Sequence, residues 1–411
     1  IQFAVDHVNS GGAPGGTVML SAGTFSVIAG SEASAGCLVI RSDTVLAGAG
    51  AGTRIELVDN GGHDVTGILR TANGSPLADG SISSTSNVTV RDLVIDGNRD
   101  LLGDGRKVDG FYCGPDPQTS VNHDSNITIE NVVSENCSRY GFDPHATTVG
   151  LTFRNCSALG NLDGFTIDGC GLPGSGNGVA LIGCIASNND RHGINIVTGS
   201  QNLTLTDIVA THNGQIHVDG GSGIMVQSGD NEVRGWTRGV TITNATIGDN
   251  GGGSDAQIAI MQAADIVIDG VAAAAAYLGP LISLHGVDTV AITVTAAQAA
   301  EISVSDYTQT FDDWSNGSAD DRLIPWLAVT INGGPASSSS AIAGWDFDAN
   351  AATAPSDEVG SGNDTLSGDA TVALNERFAG GRGDDVIRGY GGVDALFGLG
   401  AFVLFLHFGT S

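Results

Sequence analysis

The chain has 411 residues and carries 45 acidic residues against 16 basic ones, which gives a net charge of −29. This charge argues against nucleic acid or an anionic membrane as a partner, and it favours cation binding and an extracellular location. Apolar residues make up 41% of the chain, which is enough for a large core. No segment of the sequence has the length and hydropathy of a membrane-spanning helix. We therefore expect a secreted monomer whose partner is neither nucleic acid nor membrane.

The chain opens with a short amphipathic segment, Ile1 to Val8, which predicts a helix that caps the fold. The opening does not have the pattern of an N-terminal signal peptide. We therefore expect a type I-like route of secretion.

A repeat of about two dozen residues runs through most of the chain. Each copy opens with an apolar–x–apolar pattern typical of a β-strand, and the openings begin at Val88, Ile127, Leu151, Val179, Leu203 and Val240. Ten residues after these openings stand Asn98, Cys137, Asn161, Asn189, Asn213 and Asn250. The asparagines predict a ladder of stacked side-chain amides inside a turn. The repeat as a whole predicts an all-β solenoid, a right-handed parallel β-helix that spans residues 1–335.

A second strand in each coil begins at a glycine followed by a large apolar residue, which points into the core. The residues two and four positions after the glycine then point outward, because side chains alternate along a strand. In three successive coils these outward positions hold Asp143, His145, Thr166, Asp168 and Asn195. Adjacent coils lie about 4.8 Å apart, so we expect these side chains to form one patch. Flanking positions in the same coils and the neighbouring one hold Tyr140, Asp163, His192 and Tyr112.

The composition changes after residue 335. A serine-rich linker, residues 336–355, precedes three glycine- and aspartate-rich repeats in residues 356–398, and the second repeat matches the calcium-binding nonapeptide pattern in full. The glycines permit tight turns, and the carboxylates of Asp364, Asp385 and Asp394 are candidate Ca²⁺ ligands. We expect a short calcium-binding β-roll-like segment here, followed by an atypical tail in residues 399–411.

Several strings in the chain resemble the secreted, calcium-dependent mannuronan C-5 epimerases, whose catalytic module is a β-helix followed by calcium-repeat modules. The strings are Asp92–Asp100, Lys107–Gly110, Tyr140–His145, Leu162–Phe165 and Asn189–Asn195, together with the calcium repeats. In that family, an aspartate–proline–histidine–glutamate motif holds catalytic residues, and this chain ends the motif with Ala146. The family also places a lysine on the stretch that here reads Ile258–Gln262 and has none.

The resemblance implies that Tyr140, Asp143, His145 and Asp168 are catalytic and that the substrate is alginate, an anionic polysaccharide. Epimerisation removes the C5 proton of a uronate and returns a proton to the opposite face, once the adjacent carboxylate has been neutralised. We assign His145 as the base, with a pKa near the working pH, and Tyr140 as the acid, although the two roles could be exchanged. A protonated Asp168 would neutralise the substrate carboxylate, and Asp143 would orient His145 or contact substrate.

Candidate substrate-binding residues surround this quartet. Lys107, Arg139 and Arg191 provide the local positive charge that an anionic polymer requires against the negative charge of the whole protein. His192 and Asn195 lie within reach of the patch, and the ring of Tyr112 either stacks on a sugar or covers the sheet. Asp109 and Asp163 each precede a strand glycine, where a carboxylate either caps a turn or contacts a ligand.

Three functions stay open on the sequence. The first is polymer-level epimerisation of β-D-mannuronate to α-L-guluronate. The second is alginate lyase activity, alone or combined with epimerisation, because elimination begins with the same proton abstraction. The third is a non-catalytic, calcium-stabilised carbohydrate-binding solenoid. A hydrolase is disfavoured, because no adjacent pair of aspartates stands on a comparable strand to act as acid and base.

Overall fold

The structure is a computed structural model. It describes residues 1–9, 15–31, 35–72, 84–114, 123–145, 148–171, 178–217, 220–228, 237–251, 255–274, 277, 279–305, 307–313, 318–324 and 327–336, and the backbone of six later strands. The chain divides into two compact units, Ile1–Pro335 and Ala336–Ser411. Each unit has its own sheets.

The first unit consists almost entirely of short strands. In the described residues its elements are α1 (Gln2–Val8), β1 (Gly16–Met19), β2 (Gly23–Ile28), β3 (Leu38–Ile40), β4 (Thr44–Ala47), β5 (Thr53–Asp59), β6 (Leu69–Thr71), β7 (Ser86–Asp96), α2 (Arg99–Leu102), β8 (Phe111–Cys113), β9 (Ser125–Glu135), β10 (Tyr140–Pro144), β11 (Val149–Arg154), β12 (Ser157–Leu159), β13 (Asp163–Asp168), β14 (Val179–Ile182), β15 (Ile185–Ser187), β16 (Ile194–Val197), β17 (Gln201–Thr206), β18 (Val209–Thr211), β19 (Ile224–Gln227), β20 (Thr237–Gly248), β21 (Ile258–Met261), β22 (Ala263–Ala273), β23 (Ile282–His285), β24 (Asp288–Thr293), α3 (Ala296–Ala299), β25 (Ile302–Ser305), β26 (Tyr307–Asp313), β27 (Ser318–Ile324), β28 (Leu327–Ile331) and β29 (Gly334–Pro335).

These strands coil into two long sheets. Within the described part of the chain, one sheet has ten strands in the order β3, β6, β8, β10, β13, β16, β19, β21, β23 and β25, and a second sheet has seventeen strands. Neighbours in the ten-stranded sheet are parallel and belong to successive coils, for example β10 with β13 and β13 with β16. The strands β26 and β27 instead form an antiparallel hairpin. The architecture is a parallel β-helix, which confirms the predicted fold class.

The corners of the coil are formed by residues in the left-handed conformation. Where the long strand β9 changes direction, Asn131 has a φ of 52°, and the same corner of the next coil is Asn155, with a φ of 50°. Asn, Asp and Gly tolerate this conformation better than other residues, because a short polar side chain bonds locally or is absent. The abundance of these residues in the sequence therefore corresponds to the number of corners.

The predicted amide ladder is present, with two differences. The side-chain oxygens of Asn161, Asn189, Asn213 and Asn250 each accept the backbone N–H of the equivalent residue in the preceding coil, at 2.9–3.1 Å. The side-chain oxygen of Gln257 continues the ladder by accepting the N–H of Asn250 at 2.9 Å, which the repeat alignment did not predict. Asn98 was expected in the ladder but instead precedes α2, where its amide donates to the carbonyl of Leu57.

The predicted N-terminal cap is also present. Helix α1 is joined to β3 by two hydrogen bonds, in which the side chain of Gln2 donates to the carbonyl of Val39 and accepts its N–H, at 3.1 and 2.8 Å. The helix thereby closes the first coil. Among the described residues, no helix is long and apolar enough to cross a membrane.

The backbone of the second unit forms two separate parallel sheets. Its described strands are β30 (Asp357–Val359), β31 (Thr365–Ser367), β32 (Arg377–Gly380), β33 (Asp384–Tyr390), β34 (Ala395–Gly398) and β35 (Phe402–Phe408). Strands β30, β32 and β34 form one sheet, and β31, β33 and β35 form the other. Alternation of successive strands between two sheets is the arrangement expected of a roll. The tail predicted as atypical includes β35, which pairs with β33 along seven residues. The linker at 337–355 lies outside the described residues.

Candidate active site

The outward patch lies on the ten-stranded sheet, across β8, β10, β13 and β16. In register, Asp143 lies beside Tyr112 of β8, Tyr140 lies beside Asp163, and Thr166 lies beside Asn195. Parallel pairing without a shift therefore brings together residues that are 23 to 31 positions apart. This confirms the register predicted from the glycine-led strands.

Aromatic packing inside the coil fixes the strand that carries the patch. The ring of Phe142 stacks on that of Phe165 at a centroid distance of 4.7 Å, and Phe153 meets both rings edge-on at 5.3 and 5.5 Å. All three side chains are fully buried. Such aromatic pairs stabilise the fold by about 1 kcal/mol beyond the burial of their area. They hold β10 and β13 in one position relative to each other.

The glycine at the second position of each of these strands is required by the amide ladder. A Cβ atom added to Gly141 would lie 2.8 Å from the side-chain nitrogen of Asn161, and one added to Gly164 would lie 2.9 Å from that of Asn189. Both distances are shorter than real contacts of a Cβ atom. The ladder amides thus pack directly against the strand glycines. This contact fixes the position of each strand and therefore of the outward side chains that follow the glycine.

His145 lies between two carboxylates. Its Nε2 atom is 3.2 Å from Oδ1 of Asp143 and 3.6 Å from Oδ2 of Asp168. Burial of the ring acts to lower the pKa of His145, but the negative charges of Asp143 and Asp168 outweigh it and raise the pKa to about 9. The expectation of a pKa near the working pH is therefore wrong for the unliganded site, where the imidazole is mostly protonated at neutral pH.

Asp143 is fully buried, although it lies on the outward row. Its second carboxylate oxygen, Oδ2, is 3.4 Å from the guanidinium of Arg139. The carboxylate is therefore not exposed in the unliganded structure, and its contact with His145 is compatible with the role of orienting that ring. Both roles considered for Asp143 stay predictions.

Two buried aspartate–arginine pairs lie on either side of Tyr140. The guanidinium of Arg139 forms a two-point ion pair with Asp109 of the preceding coil. Arg191 binds Asp163 in the same way, at 2.9 and 2.5 Å. Both carboxylates also accept a backbone N–H of the next coil, which is the turn-capping role that was considered for them. Both carboxylates are fully buried, which favours the turn-capping role, and their contact with substrate stays a prediction.

The two ion pairs differ in their effect on the pKa of the aspartate. Burial raises the pKa of Asp109, and the charge of Asp143 adds to the increase, so that the pKa is about 6 despite Arg139. Burial also acts to raise the pKa of Asp163, but the hydrogen bonds and charge of Arg191 outweigh it and lower the pKa. Asp163 therefore keeps its negative charge to a lower pH than an ordinary aspartate, whereas Asp109 can take up a proton in mildly acidic solution.

Tyr140 is half-buried at the rim of the patch. The guanidinium carbon of Arg139 lies 4.8 Å from the centre of its ring. Burial, together with the charges of Asp163 and Asp143, raises the pKa of Tyr140 to about 12. The phenol therefore holds its proton at neutral pH, as an acid must.

The remaining predicted binding residues are found in different environments. Tyr112 is 2% exposed and lies against the ring of His145 at 5.0 Å, so it covers the sheet and does not stack on a sugar. His192 and Asn195 are largely buried at the edge of the patch, and Asn195 accepts a hydrogen bond from Gln227 at 3.0 Å. Lys107 is exposed, and its backbone N–H donates to Asp64. Ala146 lies outside the described residues.

Two features of the site were not predicted as functional. The hydroxyl of Thr166, in the middle of the patch, is buried and has no hydrogen-bond partner among the described residues. The outward alternation identified this position, but only three-dimensional packing reveals the unsatisfied hydroxyl. The second feature is the fully buried Arg70, whose guanidinium lies 5.4 Å from the centre of the Tyr112 ring. Arg70 belongs to an earlier coil that was not aligned with the repeat.

The described residues contain no group of three or more His, Cys, Asp or Glu side chains arranged to hold a metal ion. The calcium ligands predicted at Asp364 and Asp394 lie outside the described residues, and Asp385 lies on β33, of which only the backbone is described. Calcium binding by the second unit stays a prediction.

Comparison with known proteins identifies relatives of the β-helix. No family model matches the chain. Over 253 residues the chain is 40% identical to "Mannuronan C5-epimerase AlgE5" of Azotobacter vinelandii, a match that covers 61% of this chain and 23% of the relative. It is also 42% identical over 205 residues to "Alginate lyase 7" of the same organism, with 49% of this chain and 22% of the relative covered. The chain thus spans about a quarter of the length of the curated relatives that it matches.

A solved structure supports the same relationship. The A-module of the Azotobacter vinelandii mannuronan C-5 epimerase AlgE4 superimposes with a TM-score of 0.63 and 28% sequence identity. The superposition covers 98% of this chain and 94% of that module. In sequence and in fold, the β-helix is therefore related to the A-module of the mannuronan C5-epimerases.

Proposed function

We propose that the β-helix catalyses C5 epimerisation of mannuronate units to guluronate within a mannuronan polymer. The observation that carries this proposal is the outward cluster of His145, Asp143, Asp168 and Tyr140. It provides two proton-transfer groups that share one buried carboxylate, since Asp143 raises the pKa of both His145 and Tyr140. The relatives named as mannuronan C5-epimerases support the choice of reaction.

The first step is neutralisation of the substrate carboxylate, because a C5 proton next to an ionised carboxylate is too weakly acidic to be removed. We assign this step to Asp168 in a protonated form in the complex, where it donates a hydrogen bond to the substrate carboxylate; its side chain is 17% exposed and reaches the surface of the patch. Arg191 supports it with positive charge, as its guanidinium is 28% exposed beside Tyr140. Lys107, exposed on an earlier coil, contributes charge to the neighbouring sugar.

Proton transfer then proceeds in two steps. In its neutral form, His145 takes the C5 proton, and the electrons of the C–H bond move into the neutralised carboxyl group. Tyr140 then donates its proton to C5 from the opposite face, which inverts the centre and leaves the chain unbroken. A base with a pKa near 9 is stronger than an ordinary imidazole, at the cost of a smaller neutral fraction at neutral pH.

The test is incubation of the full chain with polymannuronate and Ca²⁺ in D₂O, followed by proton NMR of the polymer. We expect guluronate that carries deuterium at C5, because the returned proton comes from a group that exchanges with solvent. An unchanged polymer would contradict the proposal. The same experiment on His145→Phe should give no guluronate, and His7→Phe, the same substitution at an exposed histidine of α1, serves as a matched control.

Alginate lyase activity is the second candidate, because one relative carries that name at 42% identity. Elimination uses the same abstraction by His145, after which the electrons expel the 4-O-linked sugar and no proton returns to C5. Unsaturated chain ends, seen in the same NMR spectra or by ultraviolet absorbance, would show this outcome. Both products together would indicate a bifunctional enzyme.

We also propose calcium binding by the second unit through Asp364, Asp385 and Asp394. The nonapeptide repeats and the alternation of β30–β35 between two parallel sheets support this proposal. Carboxylate oxygens at the turns of a roll are suitable ligands for Ca²⁺. Secretion and a monomeric state remain predictions from the sequence.

A further inference from the structure

His145 stands directly after the end of strand β10. The strand covers Tyr140–Pro144, and its pairing with β8 ends at Pro144, which lies beside Cys113. Its pairing with β13 extends to Phe142. The position of the His145 main chain therefore depends on contacts other than the regular pairing of the sheet.

Hydrogen bonds hold both polar groups of the His145 main chain. Its N–H donates to the carbonyl of Cys113 at 2.6 Å. Its carbonyl accepts the hydroxyl of Thr148 at 2.7 Å and the N–H of the same residue at 3.3 Å. Thr148 is fully buried, and its own carbonyl accepts the N–H of Gly171 at 2.9 Å. Thr148 thus connects the main chain of His145 to the coil that carries Asp168.

Gly114 packs against the same carbonyl from the preceding coil. A Cβ atom added to Gly114 would lie 2.3 Å from the carbonyl oxygen of His145 and 3.0 Å from the hydroxyl oxygen of Thr148. Gly114 is itself held by Asp124, whose fully buried carboxylate accepts its N–H at 2.8 Å. The carbonyl of His145 is therefore fixed between the main chain of Gly114 and the hydroxyl of Thr148.

The contacts of the His145 ring depend on where its main chain lies. The carboxylate 3.2 Å from Nε2 belongs to Asp143 on the same strand, whereas the one at 3.6 Å belongs to Asp168 on the next coil. Arg139 is a further charged group that acts on the ring, and the ring of Tyr112 packs against it. A shift of the His145 main chain would change its distance to Asp168 most. In enzymes, a misplacement of about 1 Å can reduce the rate about 100-fold.

We propose that Thr148 is a positioning residue for epimerisation, whose hydroxyl holds the carbonyl of His145 and thereby keeps the imidazole beside Asp168 and within reach of the C5 proton. This inference rests on the proposed function, because it takes His145 to be the base. Thr148 is fully buried and acts through His145 without touching the substrate. Loss of its hydroxyl should therefore slow the chemical step and leave substrate binding almost unchanged.

The test compares Thr148→Val with Thr148→Ser in the full chain, with polymannuronate and Ca²⁺. Valine keeps the shape of threonine and removes the hydroxyl, whereas serine keeps the hydroxyl. We expect Thr148→Val to lower kcat about tenfold with KM within about twofold of the wild type, and Thr148→Ser to keep kcat within about threefold. Thr152→Val, at a half-buried position of β11 in the other sheet, is the matched control and should keep the wild-type kcat.

A second measurement reports the position of the ring without the need for turnover. It is the pH titration of His145, followed by NMR on the full chain with labelled histidine and assigned with His145→Phe. Because the charges of Asp143 and Asp168 raise the pKa of His145, a displaced ring in Thr148→Val should titrate about 0.5–1 pH unit lower than in the wild type. In Thr148→Ser and Thr152→Val the ring should titrate as in the wild type.

The inference is overturned by a wild-type kcat in Thr148→Val, by an equal loss of kcat in Thr148→Ser, or by a change in KM alone. An unchanged titration of His145 in Thr148→Val overturns it as well, whether or not the wild type is active. If Thr148→Val does not fold, Thr148→Ala replaces it in both measurements. A wild type that forms no guluronate, with the titration shifted as expected in Thr148→Val, rejects the proposed function and leaves the positioning of the ring in place.

Discussion

His145 and Tyr140 both have a raised pKa, and one neighbouring carboxylate contributes to both shifts. Asp143 is buried beside both residues, and its negative charge raises the pKa of the imidazole to about 9 and contributes to raising that of the phenol to about 12. At neutral pH the unliganded site therefore holds one proton on each group. A phenol that stays protonated is suited to the acid role, whereas the imidazole must lose a proton before it can act as a base.

The dependence of activity on pH tests this assignment. If neutral His145 is the base, kcat/KM should rise with pH and level off near pH 9, because kcat/KM reports the pKa of the free enzyme. In Asp143→Asn the negative charge is lost and the pKa of His145 falls, so the rising limb should move to lower pH by about one to two units.

The quantity to measure is the pH at the midpoint of the rise in kcat/KM. A lower overall rate in Asp143→Asn is not sufficient, because it would also follow if the ring of His145 were misplaced. A kcat/KM that falls above pH 9 in the wild type would show instead that His145 acts as the acid. That result would exchange the two roles and leave the site itself in place.

The sequence pattern predicted which residues belong to the site more accurately than it predicted which of them are exposed. Alternation along the strand places Asp143 and Tyr112 outward, which the register confirms. Alternation cannot show that the side chain of Arg139 lies against Asp143 or that the ring of His145 lies against Tyr112. Those contacts depend on how the side chains pack in three dimensions. The buried pairs of Asp109 and Asp163 were undecided for the same reason.

At the level of elements, the amide ladder connects the turns to the catalytic strands. Asn189 accepts two hydrogen bonds from Asn161 and donates to Ala158 and to Asn213, all of them buried. The spacing of ten residues predicted this ladder, because a side-chain amide can repeat the same bond in every coil. Asn98 keeps the count of ten residues, but its amide donates to the carbonyl of Leu57, and Gln257 joins the ladder from a position that the aligned repeats do not share.

Asn189→Ala should therefore lower the free energy of unfolding by about 2–4 kcal/mol, since it leaves several buried polar groups without partners. Chemical denaturation measures this change. Ser187→Ala, two residues earlier and half-buried, should change the free energy of unfolding by less than about 0.5 kcal/mol. Equal effects of the two substitutions would contradict the role of the ladder.

At the level of the whole molecule, the negative charge extends over the β-helix, because 35 of the 45 acidic residues and 13 of the 16 basic ones lie in residues 1–335. Binding of an anionic substrate therefore depends on local cations, and Arg139, Arg191 and Lys107 lie on or beside the coils of the patch. The change of composition after residue 335 did indicate two kinds of structure.

Calcium should act on the second unit and leave the β-helix unchanged. We expect Ca²⁺ to slow amide hydrogen exchange in β30–β35 of the full chain, because bound carboxylates would fix the turns between them. The triple variant with Asp364, Asp385 and Asp394 changed to Asn should lose this protection. Calcium protection of β10 and β13 in that variant would contradict the assignment of the site to the second unit.

The central claim is that His145 and Tyr140 act on opposite faces of one sugar carbon. The most direct measurement is deuterium incorporation at C5 by Tyr140→Phe and by His145→Phe, with polymannuronate in D₂O. Tyr140→Phe should place deuterium at C5 of mannuronate without forming guluronate, because His145 still removes the proton and returns a deuteron to the same face. His145→Phe should incorporate none. Guluronate formed at the wild-type rate by Tyr140→Phe, or deuterium incorporated by His145→Phe, would contradict the account.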